Sequence, residues 1–208
     1  MTFLQVQEPE RPDGRHPDDF YATPHGCTEA MLRSAAPMRD ATDIVEPACG
    51  DGAILDVLTP WATPVQGKWS GYREGPSVAG IESDKGRAAE ARRRGHAVLV
   101  GDFLTWTIPA TLGARVWIVG NPPYSLAREF VEHSLGILPT GCRVTFLLRL
   151  AFLAAQSRAH LYSGVGFHHL GVLGKRPSFT PDGKTDSSDY AWFTWEVGYT
   201  GPAEVERL

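Results

Sequence analysis

Apolar positions in this chain come in short runs, each closed by a polar or glycine-bearing tip and followed by residues at helical spacing. The segment Asp43-Ile44-Val45-Glu46-Pro47-Ala48-Cys49-Gly50-Asp51-Gly52-Ala53-Ile54-Leu55 reads as a short buried strand, a glycine turn and the start of an amphipathic helix. Further strands are predicted at Val78-Ala79-Gly80-Ile81, Ala97-Val98-Leu99-Val100, Val116-Trp117-Ile118-Val119-Gly120 and Val144-Thr145-Phe146-Leu147-Leu148. A helix closes at Arg92-Arg93-Arg94, with Gly95 as its stop. After Tyr124, Ser125 caps a helix whose apolar face is Leu126, Phe130, Val131, Leu135 and Leu138. An alanine-rich helix is predicted from Phe152 to Tyr162, and two late strands lie near His168 to Leu173 and Tyr190 to Val197. The last strand sets Tyr190, Trp192, Thr194 and Glu196 against Ala191, Phe193, Trp195 and Val197, which predicts one face packed more deeply than the other. Strand and helix in alternation predict an α/β fold with a doubly wound sheet.

The chemistry sits at the strand tips, where open α/β sheets keep their ligands. Asn121-Pro122-Pro123-Tyr124 follows the fourth strand. Pro122 holds Asn121 extended, and Pro123 does the same to Pro122. The Asn121 side-chain oxygen and the Pro122 carbonyl are then candidates to accept both hydrogens of one exocyclic amine, with Tyr124 offering a stacking face. Gly50 and Gly52 let backbone approach a ligand closely, while Leu55 stands where a dinucleotide fingerprint needs its third glycine. Glu82, at the second tip, is placed for ribose hydroxyls. Asp102 is placed for an adenine amine, with Phe103 on its ring. Each element has a plainer reading: a proline turn with a core tyrosine, an ordinary strand-to-helix turn, a helix-start charge, and a loop cap with Phe103 in the core. Four such tips in this order are harder to explain that way.

In that order the motifs Glu-Pro-Ala-Cys-Gly-Asp-Gly, Gly-Ile-Glu-Ser-Asp, Gly-Asp-Phe-Leu and Asn-Pro-Pro-Tyr resemble those of the S-adenosylmethionine-dependent amino-methyltransferases, particularly the N6-adenine DNA methyltransferases. Upstream, Phe20-Tyr21-Ala22-Thr23-Pro24 matches their Tyr-x-Thr-Pro segment, and the resemblance covers about residues 20 to 199. It implies a Rossmann-like class I methyltransferase fold: a seven-stranded, mostly parallel sheet closed by a C-terminal antiparallel hairpin. It implies S-adenosyl-L-methionine as cofactor, with Tyr21, Thr23 and Pro24 enclosing its methionine end beside Glu46, Pro47, Ala48, Gly50 and Gly52. Glu82 would take the ribose, and Asp102 and Phe103 the adenine. Asn121, also beside the cofactor, would orient the target amine with Pro122 and Pro123, and Tyr124 would stack on the target base. Phe179, in Lys175-Arg176-Pro177-Ser178-Phe179, falls where the family places a loop beside that base; a core phenylalanine on a hairpin competes with this. The implied reaction is direct methyl transfer to N6 of adenine in DNA, with short or relaxed sequence preference. The same tip serves an RNA base or a protein glutamine amide, and a catalytically silent scaffold that keeps the fold is a third reading.

Composition changes the picture in four ways. With 208 residues and 42% hydrophobic content, the chain is long enough for one enzyme-sized domain, residues 20–208, with residues 1–19 as a flexible proline-rich arm. Cys27, Cys49 and Cys142 are odd in number and widely spaced, and His168 and His169 alternate across a strand, so no metal site and no disulfide framework is expected. No apolar run reaches membrane-spanning length, which sets the expectation of a cytoplasmic protein. A net charge of −4 runs against a nucleic-acid partner. Lys175, Arg176 and Lys184 are the candidates for phosphate contact, against a reading as solvated charges, and Arg92-Arg93-Arg94 is read as a helix end. The resembled enzymes often append a target-recognition domain, for which no room is left before Leu208. Base choice is therefore expected to come from an insertion flap at residues 61–76, from the loop Ser178 to Asp189, or from a partner subunit or homodimer.

Overall fold

In the computed structural model, residues 20–62, 75–179, 183–185 and 187–208 are described. The expected arm at 1–19 and most of the expected flap lie outside them. In chain order the elements are α1 (His25–Arg33), β1 (Asp43–Pro47), α2 (Leu55–Ala62), β2 (Ser77–Glu82), α3 (Lys85–Arg93), β3 (Val98–Val100), β4 (Val116–Gly120), α4 (Ala127–Ile137), β5 (Arg143–Arg149), β6 (Phe167–Val172), β7 (Tyr190–Glu196) and β8 (Glu204–Arg207). They form one sheet in the order β3-β2-β1-β4-β5-β7-β6-β8. Strands β1 to β5 pair in parallel, and β7 runs antiparallel to both β5 and β6. This is the class I methyltransferase fold, with the hairpin at its end.

The strand count is eight, not seven. Glu204–Arg207 adds β8 in parallel to β6, from His169 opposite Glu204 to Val172 opposite Arg207. All four of its residues are exposed, Val205 at 73%, so no buried face announces it in the sequence. Backbone pairing holds it, continued by the Leu208 N–H to the Val172 carbonyl and the Gly174 N–H to the Leu208 carbonyl, both 2.8 Å.

The expected helix from Phe152 to Tyr162 is instead two 3-10 segments, Leu150–Ala154 and Gln156–Tyr162, broken at Ala155, which is extended at φ −85° and ψ 126°. Side chains take the carbonyls an α-helix would need. Arg158 Nε donates to the Phe152 carbonyl at 2.8 Å and Nη2 to that of Ala151 at 3.2 Å, while the Tyr162 hydroxyl reaches Phe152 at 3.2 Å. The expected flap also starts differently: Trp61 and Ala62 are the last residues of α2, and Trp61 meets Trp117 edge-on at 5.8 Å.

Period-two alternation sorts the central strands into two cores. Val116, Ile118, Val144, Phe146, Phe193 and Trp195 face one layer. Trp117, Val119, Leu147, Tyr190 and Trp192 face the other, beneath α1 and α2. Both faces of β7 are thus buried, where one had been expected to lie deeper. Each buried indole in this sheet finds an acceptor, as burial requires: Trp117 gives to Thr145 Oγ1 at 2.9 Å, Trp192 to the Cys27 carbonyl at 3.0 Å and Trp195 to the Leu161 carbonyl at 2.7 Å. Strand order reverses between β1 and β4, and such a switch point opens a crevice at the carboxyl ends.

Candidate active site

The glycine turn and the asparagine tip lie at that switch point. A Cβ on Gly120, at the end of β4, would stand 3.2 Å from the Pro47 carbonyl and 3.3 Å from Glu46 Cγ. The tips of β1 and β4 therefore touch. The backbone between β1 and α2 takes a left-handed path at Ala48 (φ 51°), Gly50 (φ 56°) and Gly52 (φ 93°). Ala48 is the non-glycine residue in that set, and such strain collects at functional turns. The Phe20 ring fills the space where a Gly50 side chain would be, and Arg87 lies over that ring at 5.0 Å.

Glu82 braces the turn from β2. One of its oxygens accepts the Gly50 N–H at 2.8 Å; the other accepts the Asp84 N–H at 2.8 Å and faces Arg87 at 3.4 Å. Glu46 is 2% exposed and its Oε2 has no partner. Burial, reinforced by the charges of Asp51 and Glu82, lifts its pKa well above the usual carboxylate range. Asp51 Oδ1 is likewise buried without a partner.

Across the crevice, Asn121 Nδ2 donates to Thr23 Oγ1 at 3.0 Å and to the Tyr21 carbonyl at 3.4 Å. A carbonyl only accepts, so it fixes the amide's orientation and leaves Oδ1 facing away from this segment. That oxygen is buried and unpartnered. Tyr124, in the 3-10 turn Tyr124–Leu126, belongs to a nest of rings. It stacks on Tyr21 at 6.0 Å and 19° and packs on Tyr190 at 5.8 Å. Phe179 packs on Tyr21 at 5.8 Å and on Tyr190 at 5.1 Å. Burial raises the Tyr124 phenol well above its usual value.

Tyr21, Thr23, Glu46, Gly50, Glu82, Asn121, Tyr124 and Phe179 thus gather at the carboxyl ends of β1, β2 and β4, linked by contacts. The Tyr21 ring packs against Tyr124 and Phe179. Asp102 caps the turn Phe103–Thr105 through the Leu104 N–H at 2.9 Å. Phe103 is 2% exposed, packed by Phe130 at 5.1 Å and edge-on by His133 at 5.0 Å, which is the core placement weighed as the plainer reading. Lys175 is exposed, and Arg176 is joined to Asp189 at 2.8 Å. Of the arginine run, Arg92 holds the Val98 carbonyl and Arg94 reaches Asp51 at 3.1 Å and Asp56, so these side chains tie α3 to its neighbours.

Three participants escaped the sequence reading. Phe20 stood in the quoted motif but was given no role. Asp51 stands in the glycine turn, and only the effect of its charge on Glu46 makes it part of an acid cluster. Arg149, with its guanidinium carbon 5.2 Å over the Tyr124 ring, had no local signal. Among the described residues no group of three or more His, Cys, Asp or Glu is placed for a metal ion, and no helix is long and apolar enough to cross a membrane.

No protein-family model and no curated protein matches the chain. Solved structures do. A Listeria monocytogenes protein described as a class I S-adenosylmethionine-dependent methyltransferase superposes with a TM-score of 0.62 at 14% identity, over 94% of this chain and 66% of its own. A protein from Vibrio vulnificus described as the modification subunit of a type I restriction enzyme gives 0.65 at 15% identity, over 90% and 47%. One from Pyrococcus horikoshii described as an RNA methyltransferase gives 0.60 at 16% identity, over 85% and 86%. This chain spans about two thirds of the first and just under half of the second. At these identities the likeness establishes the fold, on which many activities are built.

Proposed function

We propose that this chain is an S-adenosylmethionine-dependent N-methyltransferase acting on the exocyclic N6 amine of adenine in DNA. The observation that carries the reading is Asn121: its nitrogen is pinned by Thr23 and by the carbonyl of Tyr21, whose ring stacks on Tyr124, and its oxygen is buried and unpartnered. Buried acceptors are normally satisfied, so an oxygen left over at a switch-point crevice favours a donor brought by a ligand.

The other side of the crevice suits the cofactor. S-adenosylmethionine supplies an electrophilic methyl group on a sulfonium and carries an ammonium group. Glu46 and Asp51 offer buried carboxylate oxygens without partners to such a cation. Gly50 and Gly52 supply the left-handed backbone of the turn, Glu82 would offer lone pairs to ribose hydroxyls, and Asp102 would take the adenine amine. Thr23 and Pro24 would close on the cofactor's methionine end.

Asn121 Oδ1 and the Pro122 carbonyl accept the amine's two hydrogens. That turns the nitrogen lone pair out of conjugation and stabilises positive charge as it develops on nitrogen. Tyr124 and Phe179 stack on the base, which must leave a duplex to reach them, and Lys175 and Arg176 face the backbone. The neighbour described as a restriction-enzyme modification subunit supports a DNA acceptor, and the one described as an RNA methyltransferase makes RNA the arm to test against it.

The experiment offers methyl-labelled cofactor to double-stranded DNA, single-stranded DNA, RNA and protein together. Label is expected in N6-methyladenine from DNA. Label confined to RNA or to glutamine would overturn the acceptor assignment.

A further inference from the structure

A cleft of about 400 Å³ opens beside the aromatic nest, lined by Arg149, Leu150 and Ala151 on one wall and Ser187, Ser188 and Asp189 on the other. Arg149 is the last residue of β5, one strand along from the asparagine tip, and it pairs across the sheet with Tyr190 of the nest. The Leu150 N–H donates to the Asp189 carbonyl at 2.7 Å, which joins the two walls. The guanidinium lies over the Tyr124 ring at 5.2 Å, so the proposed base platform and the cleft share one side chain as their boundary.

The polar groups of this cleft are a guanidinium, two serine hydroxyls and one carboxylate. Asp189 Oδ1 is held by Arg176 Nε at 2.8 Å, so its negative charge is matched from outside the cleft. Among the described residues, the guanidinium and the two hydroxyls are then the cleft's hydrogen-bond donors. A planar guanidinium both stacks on rings and forks onto phosphate oxygens, and serine hydroxyls are common phosphate donors. The volume sits at the small end of the roughly 300–1,000 Å³ typical of ligand sites, which fits one sugar and phosphate rather than a duplex groove.

We infer that this cleft is the sugar-phosphate subsite for the acceptor nucleotide, with Arg149 as its phosphate ligand and Ser187 and Ser188 as supporting donors. The inference rests on the proposed nucleic-acid acceptor. It gives a chain of negative net charge a local means of gripping a polyanion, and it ties grip to chemistry because Arg149 reports directly on Tyr124.

The test uses the full chain saturated with S-adenosylhomocysteine and measures affinity by calorimetry for deoxyadenosine, its 5′- and 3′-monophosphates, and the matching deoxycytidine compounds. A phosphate is expected to tighten binding about 10-fold or more, the usual size for charge-assisted hydrogen bonds. In Arg149→Gln that advantage falls to roughly 2-fold or less, and the salt slope for a short single strand flattens by about 0.7. Arg149→Lys keeps an intermediate advantage, since it keeps charge and loses the fork. If Arg149→Gln does not fold, Arg149→Lys and the double variant Ser187→Ala/Ser188→Ala carry the decision, and each must shrink the phosphate advantage. A wild-type protein with no phosphate advantage, or variants that keep it whole, overturns the inference. Equal affinity for the adenine and cytosine compounds, with a phosphate advantage that is lost in Arg149→Gln, upholds the cleft while defeating the adenine assignment, so the two failures are told apart.

Discussion

Around β1 and β2 the crevice is built of carboxylate and backbone, with Glu46 and Glu82 only 2% and 3% exposed and a left-handed turn between them. Around β4, β5 and β7 it is built of rings and a guanidinium: Tyr21, Tyr124, Phe179, Tyr190 and Arg149. The first region is unsatisfied by itself, since buried acids with unpaired oxygens are costly until a cation or a proton arrives. The second is already packed, because its rings lie on one another and a planar guest must displace existing contacts. One half therefore waits for its ligand, and the other must exchange for it.

The sharpest way to break this contrast is at Asn121, which stands between the halves. Asn121→Ala is expected to lower methyl transfer by about 10²–10³-fold, the usual loss when an oriented polar group is removed from developing charge. Cofactor affinity should stay within a few-fold. A variant with undiminished turnover in a labelled-methyl assay would defeat the mechanism.

Glu46→Gln acts on the waiting half alone. Cofactor Kd should rise by about 10–100-fold, the range for a lost charged hydrogen bond, with affinity for nucleotide unchanged. The carboxyl also predicts a pH signature. Its pKa is raised in the free protein by burial and by neighbouring acids, and a bound cation favours the charged form. Between the ordinary value of 4.5 and the raised native value, cofactor binding should release a proton, and affinity should climb with pH. The same group makes the free protein most stable at low pH, with that contribution lost as pH rises through the raised value. Calorimetry in buffers of different ionisation heat measures the proton, and Glu46→Gln should abolish it.

On the exchanging half, Tyr124→Leu should weaken DNA binding by about 1–3 kcal/mol, the worth of base stacking, without changing cofactor affinity. An equal loss for cofactor would mean that the halves are not separable. The smallest effect belongs to the turn: Ala48→Gly relieves a positive φ and should shift stability by no more than about 1 kcal/mol in denaturant unfolding.

The fold was legible wherever a strand had apolar residues and a marked tip. Val116 to Gly120 and its asparagine tip were readable because burial and chemistry are written in adjacent residues. The helix expected at Phe152 to Tyr162 was misread because its carbonyls are claimed by Arg158 and Tyr162 through side chains, which no local periodicity records. Tyr124 and Phe179 share a ring nest through Tyr21 and Tyr190, and that part of Tyr21, like the position of Arg149 over Tyr124, arises from contacts between residues far apart in sequence. Composition gave net charge but not its placement, and so it did not show that a guanidinium stands beside the ring nest.

The unforeseen eighth strand has a consequence for the molecule among its neighbours. An exposed sheet margin is a template onto which foreign chains add. Here one margin is β3, only three residues long, and the other is lined by Glu204, Glu206 and Arg207. Brevity guards one border and charge the other, so a concentrated solution of this protein should resist edge-to-edge aggregation.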